Sequence, residues 1–146
     1  MVFIVDEGSE FGAPLEKVWK LSEAHAKDAA KIHPSGKNYK AESVSENAAI
    51  QSWDSDMQGQ TVKTKIKVTR FYPLGVAIEL LEGAISGSFF NYYIPNGNKT
   101  GVTVVGEFTS SMMPDENQLK QAVMSFLEQA FNEDSAYLKT MSWFDS

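Results

Sequence analysis

Apolar and polar positions follow different periods along the chain, and the first part begins with a β-like pattern. Residues 2–11 are rich in β-branched and aromatic residues and predict a strand. Pro14 stands at a position where helices commonly open, and the apolar residues after it predict a short helix. Ser22 is suited to cap a second short helix, which must end near Pro34. The pattern therefore predicts a strand followed by two short helices between residues 14 and 33.

The middle of the chain, from residue 38 to residue 113, consists of short apolar runs separated by turn residues. The breaks delimit six strands and fall at residues 45–47, 58–59, 73–75, 82–83 and 96–98. Spacings of about ten to fifteen residues are too short for crossover helices between parallel strands. The strands are therefore predicted to form an antiparallel meander.

The hairpin across residues 58–59 has the most specific predicted register, because a two-residue loop determines which residues face each other. One face carries the pairs Asp54–Lys63 and Ser52–Lys65, and the other carries Trp53–Thr64, Gln51–Ile66 and Ala49–Val68. The first face is charged and the second is mostly apolar. We interpret the basic stripe that includes Lys63 and Lys65 as a solvated outer face rather than as an anion site.

The last part of the chain has a helical period. Asp115 is placed to cap the helix, and Gln118 is placed to reach back as in a capping box. The apolar residues fall on one stripe: Leu119, Val123, Phe126, Leu127, Ala130, Phe131, Tyr137, Leu138 and Met141. A helix of roughly 27 residues would be about 40 Å long, and only a large, curved sheet could cover such a stripe.

Composition narrows the classes of protein to consider. The 146 residues, 42% of them hydrophobic, suffice for one domain, residues 1–146. The 13 Lys and Arg against 19 Asp and Glu leave a net charge of −6, and Arg70 is the single arginine, so we expect no nucleic-acid partner. The chain contains no cysteine, which excludes disulfides and thiolate ligands or nucleophiles. It shows neither a signal peptide nor a membrane span, and we expect a cytoplasmic protein.

The predicted element order resembles that of the START-related helix-grip proteins, also called the SRPBCC superfamily of polyketide cyclases, dehydrases and lipid-transport proteins. The resemblance covers essentially the whole chain and is carried by residues 11–19 (FGAPLEKVW), 106–108 (GEF) and 131–134 (FNED). It implies an α+β fold in which a curved antiparallel sheet of about seven strands wraps around a long C-terminal helix. It also implies an apolar cavity between sheet and helix that holds a hydrophobic ligand.

The chain departs from some branches of this superfamily. Residues 45–47 stand where some members have a glycine-rich loop, and the absence of cysteine excludes the Rieske-linked oxygenase branch. Neither departure conflicts with the fold, but no single subfamily is indicated. A cone-shaped cystatin-like or nuclear-transport-factor-2-like domain is the alternative fold, although it lacks the long closing helix.

The candidate ligand-binding residues are those assigned to inward positions of the sheet and of the last helix. They are Trp53, Arg70, Tyr72, Ile78, Phe90, Tyr92, Val104, Phe108, Met112, Phe126 and Ala130. Arg70 would bind a ligand carboxylate or phosphate, or pair with an acid such as Asp134, unless a bulge turns it outwards. Tyr92 would need a partner for a buried hydroxyl, and a ligand head group could provide one.

The two histidines, His25 and His33, are eight residues apart in the second predicted helix. Two histidines without an identified carboxylate ligand are too few for a metal site, so we predict no metal and no cofactor. Rim positions or a gating or hydrogen-bonding role at the cavity entrance are the alternatives. The chain shows no catalytic triad order, paired-carboxylate motif or phosphate-binding glycine loop.

We therefore predict that the protein binds or carries a small hydrophobic or aromatic molecule between the sheet and the C-terminal helix. One alternative is a polyketide cyclase- or dehydrase-like enzyme, in which Arg70, Tyr92 or a histidine polarises a carbonyl or moves a proton in the same cavity. A second alternative is an interaction module that uses exposed residues such as Trp143 and Phe144. The sequence is also compatible with a homodimer.

Overall fold

The computed structural model describes residues 1–57 and 59–141. Seven strands form one antiparallel sheet in the order β1-β7-β6-β5-β4-β3-β2, and a long C-terminal helix lies against it, which confirms the predicted helix-grip architecture. The elements are β1 (Val2–Phe11), α1 (Leu15–Ile32), β2 (Lys37–Ser45), β3 (Ala48–Met57), β4 (Gln60–Phe71), β5 (Gly75–Glu82), β6 (Ser86–Asn96), β7 (Lys99–Thr109) and α2 (Glu116–Thr140). Among these residues, neither helix is long and apolar enough to cross a membrane.

The six strands from β2 to β7 form the predicted meander, since each pairs with the next strand along the chain, and β1 then pairs with β7. The register of the β3–β4 hairpin is also confirmed. Asp54 lies opposite Lys63 and Trp53 lies opposite Thr64. Gln58, in the predicted two-residue loop, lies outside the described residues.

The region after β1 corrects the position of one predicted break, because the two helical segments of α1 meet at Asp28 and not at Ser22. Helix α1 passes through Ser22 without interruption, and its non-helical backbone falls later, at Asp28 (φ −116°, ψ 23°). Residues 20–27 contain no glycine or proline and are mostly good helix formers, so nothing local stops the helix at Ser22. The Ser22 side chain is buried instead of capping a helix.

Helix α2 begins where the sequence predicts, because the Asp115 carboxylate accepts a hydrogen bond from the Asn117 backbone N–H at 3.2 Å. Its apolar stripe lies towards the concave face of the sheet. One end of that face is filled by a hydrophobic core from β1, β7 and both helices, which includes Ile4, Phe108, Val18, Leu119 and Val123. The remainder of the concave face is separated from α2 by a cavity.

Candidate functional site

A cavity of about 510 Å³ lies between the concave face of the sheet and α2. This volume lies within the range typical of small-molecule sites. Because side chains of a strand alternate between its two faces, every second residue of the central strands contributes to an apolar wall. That wall contains Ile66, Val68, Val76, Ile78, Leu80, Phe89, Val102 and Val104 from the sheet, and Phe126, Leu127, Ala130 and Phe131 from α2.

Two amide side chains interrupt the apolar wall on the sheet side. Gln51 of β3 is 6% exposed, and Asn91 of β6 lies on the same concave face. Neither side chain forms a hydrogen bond to another residue within the described parts of the chain. Each amide offers two donors and one acceptor oxygen, so the cavity contains hydrogen-bonding capacity that the protein itself does not use.

The most polar part of the cavity wall is formed by His25, His33, Glu133 and Asp134, which we call the histidine cluster. The two imidazole Nε2 atoms are 3.0 Å apart, and the Asp134 Oδ1 atom lies 3.1 Å from the Nε2 of His25 and 3.2 Å from that of His33. The Nδ1 of His33 donates to the Glu133 carboxylate at 3.0 Å, and the Nδ1 of His25 donates to the Leu21 carbonyl at 2.8 Å. Every ring nitrogen of the two histidines therefore lies within hydrogen-bond distance of another polar atom.

The end of α1 explains how two histidines eight residues apart come together. Eight residues of regular helix would separate them by about 12 Å along its axis. The helical geometry is interrupted at Asp28, and His33 follows the last helical residue with φ −119° and ψ 77°. This change of direction brings His33 close to His25, and from α2 Asp134 contacts both histidines and Glu133 contacts His33.

The charges of the histidine cluster depend on one another. Burial by itself lowers the pKa of His33, but the hydrogen bonds and charges of Asp134 and Glu133 outweigh burial and raise that pKa above 6.5. Burial by itself raises the pKa of Asp134, but the hydrogen bonds and charges of His25 and His33 hold it below its usual value. Burial and the nearby charge of Glu133 also raise the pKa of Tyr39, whose hydroxyl donates to the His33 carbonyl, to about 12.

The structure brings five of the candidate ligand-binding residues together around the cavity. They are Trp53, Ile78, Val104, Phe126 and Ala130. Trp53 stacks on Tyr39, with ring centroids 5.6 Å apart and an angle of 28° between the rings, so this part of the wall is aromatic. Contact between these five residues and a ligand stays a prediction.

Phe90 and Tyr92 lie on the convex face, so the inward parity assigned to β6 was wrong. The residues of β6 that border the cavity are Phe89, Asn91 and Tyr93. Aromatic residues occupy both faces of this strand, and Asn91 resembles an outward polar residue, so alternation alone indicated the wrong face. A polar residue is tolerated on the inner face here because it borders a cavity rather than close-packed apolar side chains.

Phe108, Tyr72 and Met112 also lie away from the cavity wall. Phe108 does point inwards, but it is 1% exposed and packs within the filled core. Tyr72 lies beyond the end of β4, where its exposed ring contacts Trp19 edge-on with centroids 5.0 Å apart. Met112 is exposed in the segment after β7, and its neighbour Met113 takes the buried position, because strand alternation ends at Thr109.

Arg70 takes neither of its two predicted roles. Its guanidinium donates to the backbone carbonyl of Glu46, in the turn between β2 and β3, at 3.0 Å. Within the described residues it forms no ion pair, and Asp134 is engaged by the histidine cluster instead. A guanidinium that can satisfy its donors near solvent has no need of a buried acid.

Several residues of the site were not among the sequence candidates. Gln51 could have been found, since the correct β3–β4 register already placed this amide opposite Ile66 on the apolar face. The histidine cluster had a weaker signal, namely that Asp134 lies near the apolar stripe of the last helix. The proximity of Asp134 to His25 and His33 has no counterpart in any local sequence pattern, because Asp134 lies more than one hundred positions after both histidines along the chain.

A scan against models of protein families finds no match, and a sequence search of curated proteins finds none. Similar solved structures include the Zhui aromatase/cyclase from Streptomyces sp. R1128, with a TM-score of 0.78, 14% identity and 94% of each chain covered. A START superfamily protein from Mycobacterium smegmatis has a TM-score of 0.76 and 14% identity over 96% of this chain and 99% of its own. Norcoclaurine synthase from Thalictrum flavum, solved with dopamine and hydroxybenzaldehyde, has a TM-score of 0.70 and 12% identity over 97% and 89%. The chain therefore has the same helix-grip fold as these three structures.

Proposed function

We propose that the protein binds a small molecule with an apolar, aromatic body in the cavity between the sheet and α2. The observation that carries this proposal is an apolar cavity of about 510 Å³ whose wall includes the Gln51 amide, which borders the cavity and forms no hydrogen bond to another described residue. Buried polar groups normally have hydrogen-bond partners. A ligand with an apolar surface and a polar group would pack against the apolar side chains and also hydrogen-bond to the Gln51 amide, whereas water could do only the second.

The aromatic part of the proposal rests on the rings that border the cavity. Trp53 is held by stacking on Tyr39, and Phe126 and Phe131 face the cavity from α2. Offset or edge-to-face contacts with such rings contribute about 0.5–1.5 kcal/mol each beyond the burial of area. Norcoclaurine synthase, which has the same fold, was solved with two aromatic compounds, and this supports the same ligand class here.

The alternatives that the sequence left open now have different support. Of the three groups suggested for a cyclase-like reaction, Arg70 and Tyr92 lie outside the cavity, so a catalytic role would fall on the histidines. Trp143 and Phe144, suggested for a protein interface, lie outside the described residues. A homodimer, the lack of a nucleic-acid partner and a cytoplasmic location stay predictions.

The substitution Ala130→Trp tests the ligand proposal, because Ala130 borders the cavity and a tryptophan there would fill part of it. We expect the affinity for anilinonaphthalene sulfonate, a fluorescent probe with an apolar aromatic body and a sulfonate group, to fall at least about tenfold, which is about 1.4 kcal/mol. Stability should be retained or increased, since filling a cavity commonly stabilises a protein. A probe titration and a thermal melt measure the two effects.

Ala136→Trp is the matched control, because Ala136 is exposed on the same helix and does not border the cavity. This variant should bind the probe as the unmodified protein does. Native mass spectrometry of the freshly purified protein then searches for a co-purified small molecule. Equal probe affinity of a folded Ala130→Trp variant and its Ala136→Trp control would contradict the proposal.

A further inference from the structure

Two neutral histidines cannot satisfy all the close contacts of the histidine cluster by hydrogen bonding, because too few of the nitrogen atoms would carry a proton. The Leu21 carbonyl can only accept, so the Nδ1 of His25 carries a proton, and the Glu133 carboxylate likewise places a proton on the Nδ1 of His33. In a neutral imidazole the other nitrogen is then a bare acceptor. Both Nε2 lone pairs would therefore face each other at 3.0 Å, with the Asp134 oxygen as a third acceptor.

Three acceptor atoms that converge within 3.0–3.2 Å of one another are arranged as the ligands of a single cation are. We propose that His25, His33 and Asp134 bind one divalent first-row transition-metal ion, with Nε2, Nε2 and Oδ1 as the three protein ligands. Imidazole and carboxylate together suit ions such as Zn²⁺, Fe²⁺ and Co²⁺. Three protein ligands leave further coordination positions for water or for a ligand in the cavity.

The spacing of the three atoms agrees with binding to a single ion. Ligand atoms about 2.0–2.1 Å from one ion are about 2.8–3.0 Å apart at right angles and about 3.3–3.4 Å apart in a tetrahedron. The observed separations of 3.0, 3.1 and 3.2 Å fall between these two values. These atoms and one ion can therefore come together without a rearrangement of the helices.

The second ring nitrogen of each histidine, Nδ1, has the kind of hydrogen-bond partner that is usual for metal-binding histidines. Such histidines donate their second ring N–H to a backbone carbonyl or a carboxylate, which fixes the tautomer and the ring orientation. His25 does so to Leu21 and His33 does so to Glu133. Glu133 is itself held by the backbone N–H and the hydroxyl of Ser35, at 3.3 and 3.2 Å. The two carboxylates together also balance the charge of a divalent ion.

The test uses the 146-residue chain without a tag after treatment with a chelator, with Zn²⁺ alone as the probe in isothermal titration calorimetry. We expect one ion per chain. The chain has only two histidines and no cysteine, so ¹⁵N-resolved spectra of the imidazoles report on this site alone. Both Nε2 resonances should move on addition of Zn²⁺, and Co²⁺ should show the ligand-field absorption of a bound ion.

Three substitutions on α2 distinguish a metal site from a merely structural cluster. Asp134→Asn keeps the shape and removes a ligand, and it should cause the largest loss of Zn²⁺ affinity. Glu133→Gln keeps an oxygen that can accept from His33 but removes the negative charge of this partner, and it should lower the affinity by about 10–100-fold. Glu116→Gln, an exposed acid in the first turn of the same helix that does not border the cavity, is the matched control and should leave the affinity unchanged.

Two results would overturn the proposal. The first is no Zn²⁺ uptake, with one imidazole doubly protonated in the spectra, which would mean that a proton occupies the place assigned to the ion. The second is uptake that Asp134→Asn, folded by its thermal melt, does not weaken. The Zn²⁺ titration needs no organic ligand and the probe titration of Ala130→Trp needs no metal, so failure of either proposal is recognised separately from failure of the other.

Discussion

The two faces of β6 carry the same kinds of side chain in different surroundings. Phe89 on the concave face is 7% exposed, and it packs on Phe108 with ring centroids 5.8 Å apart. Tyr92 on the convex face is 45% exposed, and its ring contacts that of Phe90, with centroids 4.3 Å apart. The difference between the faces is the cover that the helices provide on one side only. Residue type alone therefore does not identify the face that becomes the interior.

The convex face remains apolar well beyond β6. Val5 lies opposite Val105 across the β1–β7 pair, and Val105 lies opposite Phe90 across the β6–β7 pair. Val5 is 63% exposed and Val105 is 40% exposed. Residues on this face lose only part of their hydrated surface on folding, so each should contribute less to stability than its counterpart on the concave face. The following substitutions test that comparison, in order of decreasing expected effect.

Phe108→Ala should lower the free energy of unfolding by about 3–5 kcal/mol, because it removes a fully buried ring from the core. Phe90→Ala is the matched control on the neighbouring strand, where the ring contacts Phe71 and Tyr92 on the convex face. It should lower the free energy of unfolding by no more than about 1 kcal/mol. Urea denaturation measures both values, and equal losses would show that the two faces are equivalent in stability.

Arg70→Met should lower the free energy of unfolding by about 1 kcal/mol or less, because it removes one hydrogen bond, to the Glu46 carbonyl, and exposes no buried acid. The affinities for carboxylated and for neutral apolar probes should both stay unchanged, since Arg70 does not border the cavity. Thermal melts and paired probe titrations measure these effects. A selective loss of affinity for the carboxylated probe would mean that Arg70 does contact the bound ligand.

The facing residues Asp54 and Lys63 should have the smallest coupling, at most about 1 kcal/mol, as is usual for exposed charges. The Asp54 carboxylate accepts a hydrogen bond from the Asn38 side chain at 2.9 Å, which further reduces its dependence on Lys63. A double-mutant cycle in urea denaturation isolates the coupling of the pair. A coupling of several kcal/mol would mean that this side of the β3–β4 hairpin is covered rather than solvated.

Local patterns in the sequence were sufficient for the order of elements. The turn residues between the strands, the alternation in the β3–β4 hairpin and the Asp115 cap act over a few neighbouring residues, and all three predictions are confirmed. The same alternation placed Trp53 and Gln51 on the inner face, where both border the cavity. It failed on β6, because aromatic residues on both faces leave no periodic signal to choose between them.

What the sequence by itself determined was therefore the set of strands, the long capped helix and the meander that connects them, since each depends on residues close together in the chain. Only the tertiary structure decided which face α2 covers, where the core stops and the cavity begins, and that His25 and His33 meet Asp134. These features depend on contacts across about one hundred residues or more of chain, between His25 and Asp134 and between His33 and Glu133. Such contacts follow from the docking of whole elements and leave no periodic signal in the sequence around any one residue.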